Sequence, residues 1–383
     1  MFSTIFPPKI GGPATQSFNL CKALVEKGET PIVVTYGDAF TLSQEHGFKV
    51  YTFRLKYTYT PLDKALRWVF FPPYIIFLFV KERIQILHCH SVSALSFVAA
   101  LIGKIMGIPS IVKFAGDWVW ETLSTHKLQK AEDFNEMYKI SLIARLMTKV
   151  EKVGLGLFDK IWVVSEFRRQ NIKDLLGTDK KVFLINNCLL LDGGGARTWK
   201  DGDQTVMISA NRFIPHKRVS FIVELFALSM KEGMLVLIGG GAQKEVDEVK
   251  EAIKKSGVDN RVELKGILSS KEVYSEFSKA SFYISTSLEE GLPNVFIEAM
   301  HYGLPIITSD VGGSKEMVLD GKTGFVVDKD DKSGFIDRIH RLNTDLELRN
   351  RMSEAAYQRS KLFNLKDKIG EFIAIYKELI RES

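Results

Sequence analysis

The sequence predicts an α/β protein built from two Rossmann-like arrays, and three observations carry that prediction. Short apolar, β-branched or aromatic runs alternate with helical patterns, the βαβ rhythm of a parallel sheet. A polar, glycine-rich stretch at 189–203, LLLDGGGARTWKDGD, stands between two such arrays as a flexible linker would. The chain has 383 residues, more than one core usually organises, so two or three domains are expected.

Composition narrows the class. A hydrophobic content of 45% with 26% charged residues is ordinary for a globular protein. Cys21, Cys89 and Cys188 are scattered without a CxxC pair, which argues against a disulfide framework or structural zinc and fits a cytoplasmic setting. MFSTIFPPKIGG lacks a basic region followed by an apolar core, so no secretory signal is read there. No apolar run reaches the roughly 18 residues of a membrane span. The net charge of +6 is uneven: residues 1–195 hold 24 Lys and Arg against 17 Asp and Glu, while 196–383 hold 28 against 29. A basic first half suits an anionic partner such as a membrane surface, a lipid phosphate or a nucleic acid, or is a solubility bias.

In the first half, FPPKIGGPATQSFNLCKALVEKG reads as a loop and a helix. Phe18, Cys21, Leu24 and Val25 recur at helical spacing, Pro13 sits near the helix start and Gly28 ends the run. Gly11 and Gly12 leave backbone N–H groups open before that helix, for a phosphate or substrate oxygen or simply for a tight turn. The strands TPIVVTY, ILHCH, SIVKFAG and DKIWVVS follow, with a helix between Ser93 and Met106. His88 and His90, two apart, share one face of their strand. A metal site there would need further ligands; a satisfied structural pair and a cleft lining are the other readings. Residues 51–83 mix aromatics with Arg54, Lys56, Lys64, Arg67, Lys81 and Arg83 around the thirteen-residue run WVFFPPYIIFLFV. That segment is a core helix, a membrane-interface element, or both on opposite faces.

In the second half, TVMISA is a strand followed by Arg212 and Lys217, with a helix from Val219 to Met230. Arginine can grip phosphate oxygens in bidentate fashion and lysine adds a mobile charge. MLVLIGGGA brings Gly239, Gly240 and Gly241, which allow close backbone approach to a ligand; the pattern is not the GxGxxG of a dinucleotide site. RVELKGIL, SFYISTS, PIITSD and GFVV supply further strands, and two terminal helices are expected at Leu342–Phe363 and Ile369–Ile380. Within SFYISTSLEEGLPNVFIEAM, Gly291 and Pro293 break the chain after a strand, Asn294 caps a helix from Val295, and Glu298 falls in its first turn. The helix start offers N–H groups and positive dipole for a phosphate, while Glu290 and Glu298, eight apart, can accept from sugar hydroxyls. The plainer alternative makes Glu290 a solvated loop residue and Glu298 a residue that favours a helix start.

The string EEGLPNVFIEAMHYGLPIITSDVGGSKEMV resembles the Glu-x7-Glu signature of retaining glycosyltransferase family 4 with its downstream Gly-x-Pro strand. The resemblance covers nearly the whole chain, most closely from Val206 to Val327. It implies a GT-B fold, two Rossmann-like domains facing across a cleft: an acceptor-binding domain at 1–190, a linker at 191–203 and a nucleotide-sugar-binding domain at 204–365, with the helix at 366–383 packing back on the first. The implied activity is hexosyl transfer, with retention, from a nucleotide sugar to a sugar or lipid-linked acceptor. Arg212 and Lys217 would stabilise the leaving diphosphate, Glu290 would orient the donor sugar, and Glu298 would hold the ribose. The backbone of Gly291, Leu292, Pro293 and Asn294, with Gly239 and Gly266, would complete the donor site. Gly11, Gly12 and His90 would line the acceptor side. Asp117 stands where relatives often carry a histidine, and the opening strand is shorter than the family's usual one, which leaves the native start of the chain open.

No cofactor and no metal are expected, and nucleic acid is not an expected partner. Two Asp-x-Asp triplets compete with that view: Asp201 with Asp203 in the linker, and Asp328 with Asp330, where Asp330 and Asp331 also suit a helix cap and first turn. A nucleotide-sugar epimerase of similar architecture and a non-catalytic sugar-nucleotide binder are the alternative functions. A peripheral position on the inner face of a membrane is the expected location if the acceptor is lipid-linked.

Overall fold

The computed structural model describes all residues except Ile10, 55–60, Asp117 and 120–141, together with the backbone alone of Glu45 and 61–67. The candidate Asp117 therefore lies outside the described residues. The chain forms two compact units, Met1–Asn186 with Leu365–Ser383, and Asn187–Asn364.

The first unit runs α1 (Gly12–Glu26), β1 (Ile32–Gly37), β2 (Thr41–Glu45), β3 (Phe48–Arg54), α2 (Pro61–Lys81), β4 (Leu87–Cys89), α3 (Ala94–Ile105), β5 (Ser110–Phe114), α4 (Leu142–Gly156), β6 (Lys160–Val163), α5 (Glu166–Leu176) and β7 (Val182–Leu184). β4, β5, β6 and β7 lie side by side in parallel. β1 pairs in parallel with β3, whose other edge carries β2 antiparallel. Met1–Ser3 closes the gap: Val34 N donates to Met1 O (2.8 Å) and Ser3 N to Val34 O (3.0 Å) on one side. On the other side Phe2 N donates to His88 O and His90 N to Phe2 O, both at 2.8 Å. The expected opening strand is thus three residues long and joins the two halves of one sheet.

Crossover handedness then sorts the helices. Connections running away from Met1–Ser3 in opposite directions must lie on opposite faces if all are right-handed. α2, α3 and α4 share one layer over a common core that includes Phe71, Ile75, Leu95, Phe97, Ile102 and Leu155. α1 packs with the C-terminal helix Leu365–Glu382. That helix docks Tyr376 on His88 (Oη to Nδ1, 2.5 Å), Phe372 edge-on against Trp162 (4.8 Å) and Glu378 on Lys160 (3.0 Å). The chain's end accordingly belongs to the first unit.

The second unit runs β8 (Val206–Ala210), α6 (Val219–Ser229), β9 (Met234–Ile238), α7 (Gln243–Ser256), β10 (Val262–Gly266), α8 (Ser270–Phe277), β11 (Phe282–Ser285), α9 (Asn294–His301), β12 (Ile306–Ser309), α10 (Ser314–Met317), β13 (Gly324–Val327), α11 (Lys332–Thr344) and α12 (Leu346–Ser360). Its six strands are all parallel in the order β10-β9-β8-β11-β12-β13. Each strand matches a run expected from the sequence. The order reverses between β8 and β11, and the loops after these two adjacent strands open the crevice where doubly wound sheets bind ligands.

Three expectations are corrected. The stretch at 191–203 is packed onto the second unit rather than free. Gly195 N donates to His301 O (2.9 Å), Arg197 Nη1 to Ala280 O (2.8 Å) and Trp199 N to Asn350 Oδ1 (2.9 Å), with Trp199 buried. Gly194 has φ +74°, and a Cβ there would sit 2.5 Å from His301 O, so close approach explains a glycine that composition alone reads as flexibility. The single helix expected at Leu342–Phe363 is two, because Asp345 leaves the helical region and caps α12 through Leu348 N (2.9 Å). At α9, Pro293 holds the cap position, so Asn294 is the first helical residue and Glu298 falls beyond the first turn.

Candidate functional site

The two loops at the reversal of strand order are tied together by short-range bonds. After β8, Pro215–Lys217 forms a single 3-10 turn and Arg218 adopts φ +51° before α6 begins. After β11, Leu288 N donates to His216 O (2.8 Å), and Thr286 Oγ1 donates to the Lys217 and Arg218 carbonyls (3.3 and 3.2 Å). Lys217 Nζ then reaches Glu290 Oε1 at 2.6 Å, with both side chains largely buried. The Glu290 carbonyl accepts from Gly313 N (3.1 Å). Gly312 beside it has φ +51°, and a Cβ there would lie 1.8 Å from that carbonyl.

Electrostatics sharpen the picture. His216 is held down at about 4, first by burial and then by the Lys217 charge, so its imidazole is neutral at pH 7. Arg212 is exposed and its side chain holds no hydrogen bond or ion pair among the described residues, leaving its guanidinium open to an anion. Glu298 accepts from Tyr274 Oη (3.1 Å) and is pushed up to about 7 by burial against the pull of that bond. Tyr274 also stacks on Tyr302 (5.4 Å). No side chain caps α9, whose Phe296 N donates to Pro293 O (3.1 Å); Asn187 Nδ2 fixes the preceding loop by donating to Leu292 O (2.6 Å).

The remaining predicted residues divide. A Cβ on Gly239 would lie 1.8 Å from Asn211 O, and one on Gly241 2.1 Å from Phe213 O. The glycine loop after β9 is therefore required first by its own chain, which packs it on the segment carrying Arg212. Gly266 has φ +68° with open space beyond it. In the first unit, Gly11 holds the cap position of the 15-residue helix α1 and offers no side-chain acceptor. His90 is buried beside Trp162 (5.7 Å) and 5.6 Å from His88, and burial holds both imidazoles well below their usual range. The pair is thus neutral; His88 Nδ1 meets Tyr376 Oη, while neither His90 ring nitrogen has a hydrogen-bond partner among the described residues. A depression of about 330 Å³ beside the Pro215–Lys217 turn is lined by Phe213, Arg218, Phe221 and Glu245 among others, but by none of the predicted site residues.

No group of three or more His, Cys, Asp or Glu that could hold a metal occurs among the described residues. The acidic triplets have local partners: Asp203 accepts from Lys200 N (2.9 Å), Asp328 from Asp330 N (2.9 Å), and Asp331 caps α11 through Gly334 N (2.9 Å). Sequence reading missed Tyr274, His216 and Gly312. Only Gly312 carried a local signal, the paired glycines after a strand.

Residues 196–359 match the family described as Glycosyl transferases group 1, and residues 10–192 match that described as Glycosyltransferase Family 4. The GPI3 subunit of phosphatidylinositol N-acetylglucosaminyltransferase from Saccharomyces cerevisiae is 22% identical over 339 residues, spanning 83% of this chain and 69% of that protein. Among solved structures, a sucrose-phosphate synthase from Thermosynechococcus elongatus aligns with a TM-score of 0.80 at 18% identity, over 100% of this chain and 99% of that one. HepE from Anabaena, solved with UDP-glucose, aligns with a TM-score of 0.73 at 16% identity, over 97% and 98%. The two family matches tile nearly the whole chain and meet at the boundary between the units, so the protein belongs to the group 1, family 4 glycosyltransferases and has the GT-B fold.

Proposed function

We propose that the protein moves a sugar from a nucleotide-sugar donor to a lipid-linked acceptor, with retention at the anomeric carbon and without a metal ion. The observation that carries this reading is the Lys217–Glu290 pair at the reversal of strand order, with Arg212 exposed beside it and the uncapped start of α9 on the adjoining loop. As the bond from the anomeric carbon to the diphosphate oxygen breaks, charge grows on the diphosphate. Arg212 and Lys217 meet it, which is stabilisation aimed at the transition state. Glu298 takes the ribose hydroxyls, while Glu290 fixes Lys217 and orients the sugar. Because Glu290 is committed to Lys217, the acceptor hydroxyl attacks from the departing face and its proton goes to the leaving diphosphate oxygen. UDP is the first base to test, from the UDP-glucose complex of HepE; a lipid-linked acceptor follows the substrate named for the yeast relative.

Calorimetry against UDP-, GDP- and ADP-sugars identifies the donor, and product analysis with candidate acceptors identifies the reaction. Arg212→Ala is expected to lower turnover by roughly 10²–10³-fold with thermal stability unchanged, and full activity is expected after exhaustive EDTA treatment. An epimerised nucleotide sugar formed without acceptor, or activity lost to EDTA and restored by Mg²⁺ or Mn²⁺, overturns the reading.

A further inference from the structure

The outer face of the α2–α3–α4 layer is apolar where a globular surface should be polar. α4 buries Ala144, Glu151 and Leu155 and exposes Leu142, Leu146, Val150 and Val153, a stripe at spacings of four, four and three. On α2, Phe71, Ile75 and Leu78 enter the core, while Val69, Ile76 and Val80 are 64%, 45% and 65% exposed on the opposite side, with Trp68 and Phe77 half-exposed on its two flanks. Ile105 extends the surface from α3 at 77% exposure. The three helices belong to one layer, so these side chains are neighbours on one surface rather than scattered exceptions.

Charge selects the occupant. Lys149 and Lys152 each precede a residue of the α4 stripe, Lys104 precedes Ile105, and Lys81 reaches over the Phe77 ring (5.3 Å); all four lysines are exposed. Among the described side chains of these helices the only acid is Glu151, which is buried. An apolar surface edged by one sign of charge, with lysine stems able to snorkel, matches the interface of an anionic bilayer. No helix among the described residues is long and apolar enough to cross one. We infer that the α2–α3–α4 face docks on an anionic lipid surface. The inference deepens the lipid-linked acceptor reading, but its physical basis is independent of the transferase chemistry.

The test is co-sedimentation of the full-length protein with phosphatidylcholine vesicles, with and without phosphatidylglycerol, in the absence of any nucleotide sugar. Binding is expected only with the anionic lipid. It should fall as salt rises from about 0.1 M to about 1 M and the screening length drops from about 10 Å to about 3 Å. Lys149→Glu with Lys152→Glu should lower partitioning ~30-fold or more, and Leu146→Ser with Val153→Ser at least ~10-fold, with far-UV dichroism and nucleotide affinity unchanged. In the unaltered protein, brominated phosphatidylglycerol should quench a fluorescence component that Trp68→Phe removes. Absent binding, equal binding to neutral vesicles, or a lipid-free dimer broken by the Leu146→Ser and Val153→Ser changes overturns the inference. Nucleotide-sugar binding without vesicle binding sinks the docking face alone, whereas vesicle binding without any donor bound sinks the transferase assignments alone.

Discussion

The two units solve the same packing problem with similar sheets and spend their surfaces differently. In the second, the unusual residues gather at strand ends: an ion pair taken largely out of water, a neutral histidine, and glycines forced by backbone approaches of 1.8 to 2.5 Å. Its helices face solvent in the ordinary way, and Leu228, Ile267 and Leu362 are its exposed large apolar side chains among the described residues. In the first unit the strand ends are quiet and the anomaly is the helix layer. One sheet edge gathers charge and close backbone approaches and one helix layer leaves apolar side chains uncovered, so each unit departs from normal packing in a different place.

The sharpest way to break this comparison is to remove Glu290. Glu290→Ala leaves the Lys217 ammonium largely buried without its partner and should cost about 3–5 kcal/mol of stability in the second unit, as for other broken buried pairs. Chemical denaturation measures it. Lys217→Met combined with Glu290→Met should restore most of that stability while turnover stays lost. If the double variant recovers turnover, the pair is a structural device and not a site.

The first unit has its own close approach. A Cβ on Gly154 would lie 2.5 Å from the Phe97 ring, where α4 meets α3. Gly154→Val should overpack that contact and cost ~1–3 kcal/mol, read as a lowered melting temperature, with nucleotide affinity per folded molecule unchanged. An altered nucleotide affinity would mean that the helix layer is coupled to the donor site.

The smallest effect is in pH. Glu298 titrates near 7, above the ordinary range, because burial disfavours its charge. The folded protein therefore holds this proton between about pH 4.5 and 7 when the unfolded chain has lost it, so its contribution favours folding at low pH and fades as pH rises through that window. If Glu298 takes the ribose hydroxyls as proposed, binding needs the carboxylate, so nucleotide affinity should move the other way. It should weaken by up to ~10-fold per unit as pH falls below about 7, and Glu298→Gln should flatten the profile. Calorimetry across pH 5 to 8, about one unit either side of the titration and slightly beyond, separates the two trends.

Much of the second unit was legible because parallel strands announce themselves as continuous apolar runs and loop residues at their ends carry the charges. The pairing of Lys217 with Glu290 was legible as two residues but not as a contact, since it depends on β8 lying beside β11. The β2–β3 hairpin was hidden by its turn: His46 and Gly47 take φ +57° and +86°, a conformation that Asn-Gly signals and His-Gly does not. The burial of His88 was illegible because its cover comes from a helix nearly three hundred residues away in sequence, as the Tyr376–His88 bond (288 residues apart) shows. The stripe on α4 escaped notice because it reads as an ordinary amphipathic helix until the structure shows which side faces the core.

The position of the C-terminal helix sets an order of assembly. Protein synthesis proceeds from the first unit to the second, yet Trp162 and His88 are covered only when Leu365–Glu382 emerges. At about 5–20 residues per second, the nascent first unit waits roughly 10–40 s for its last piece. During that wait it exposes the flank later sealed by Phe372 and Tyr376, while the second unit, continuous in sequence, can close on its own. A chain released before Leu365 would therefore join a finished second unit to an unfinished first one, and that open flank is where a chaperone would be expected to hold it.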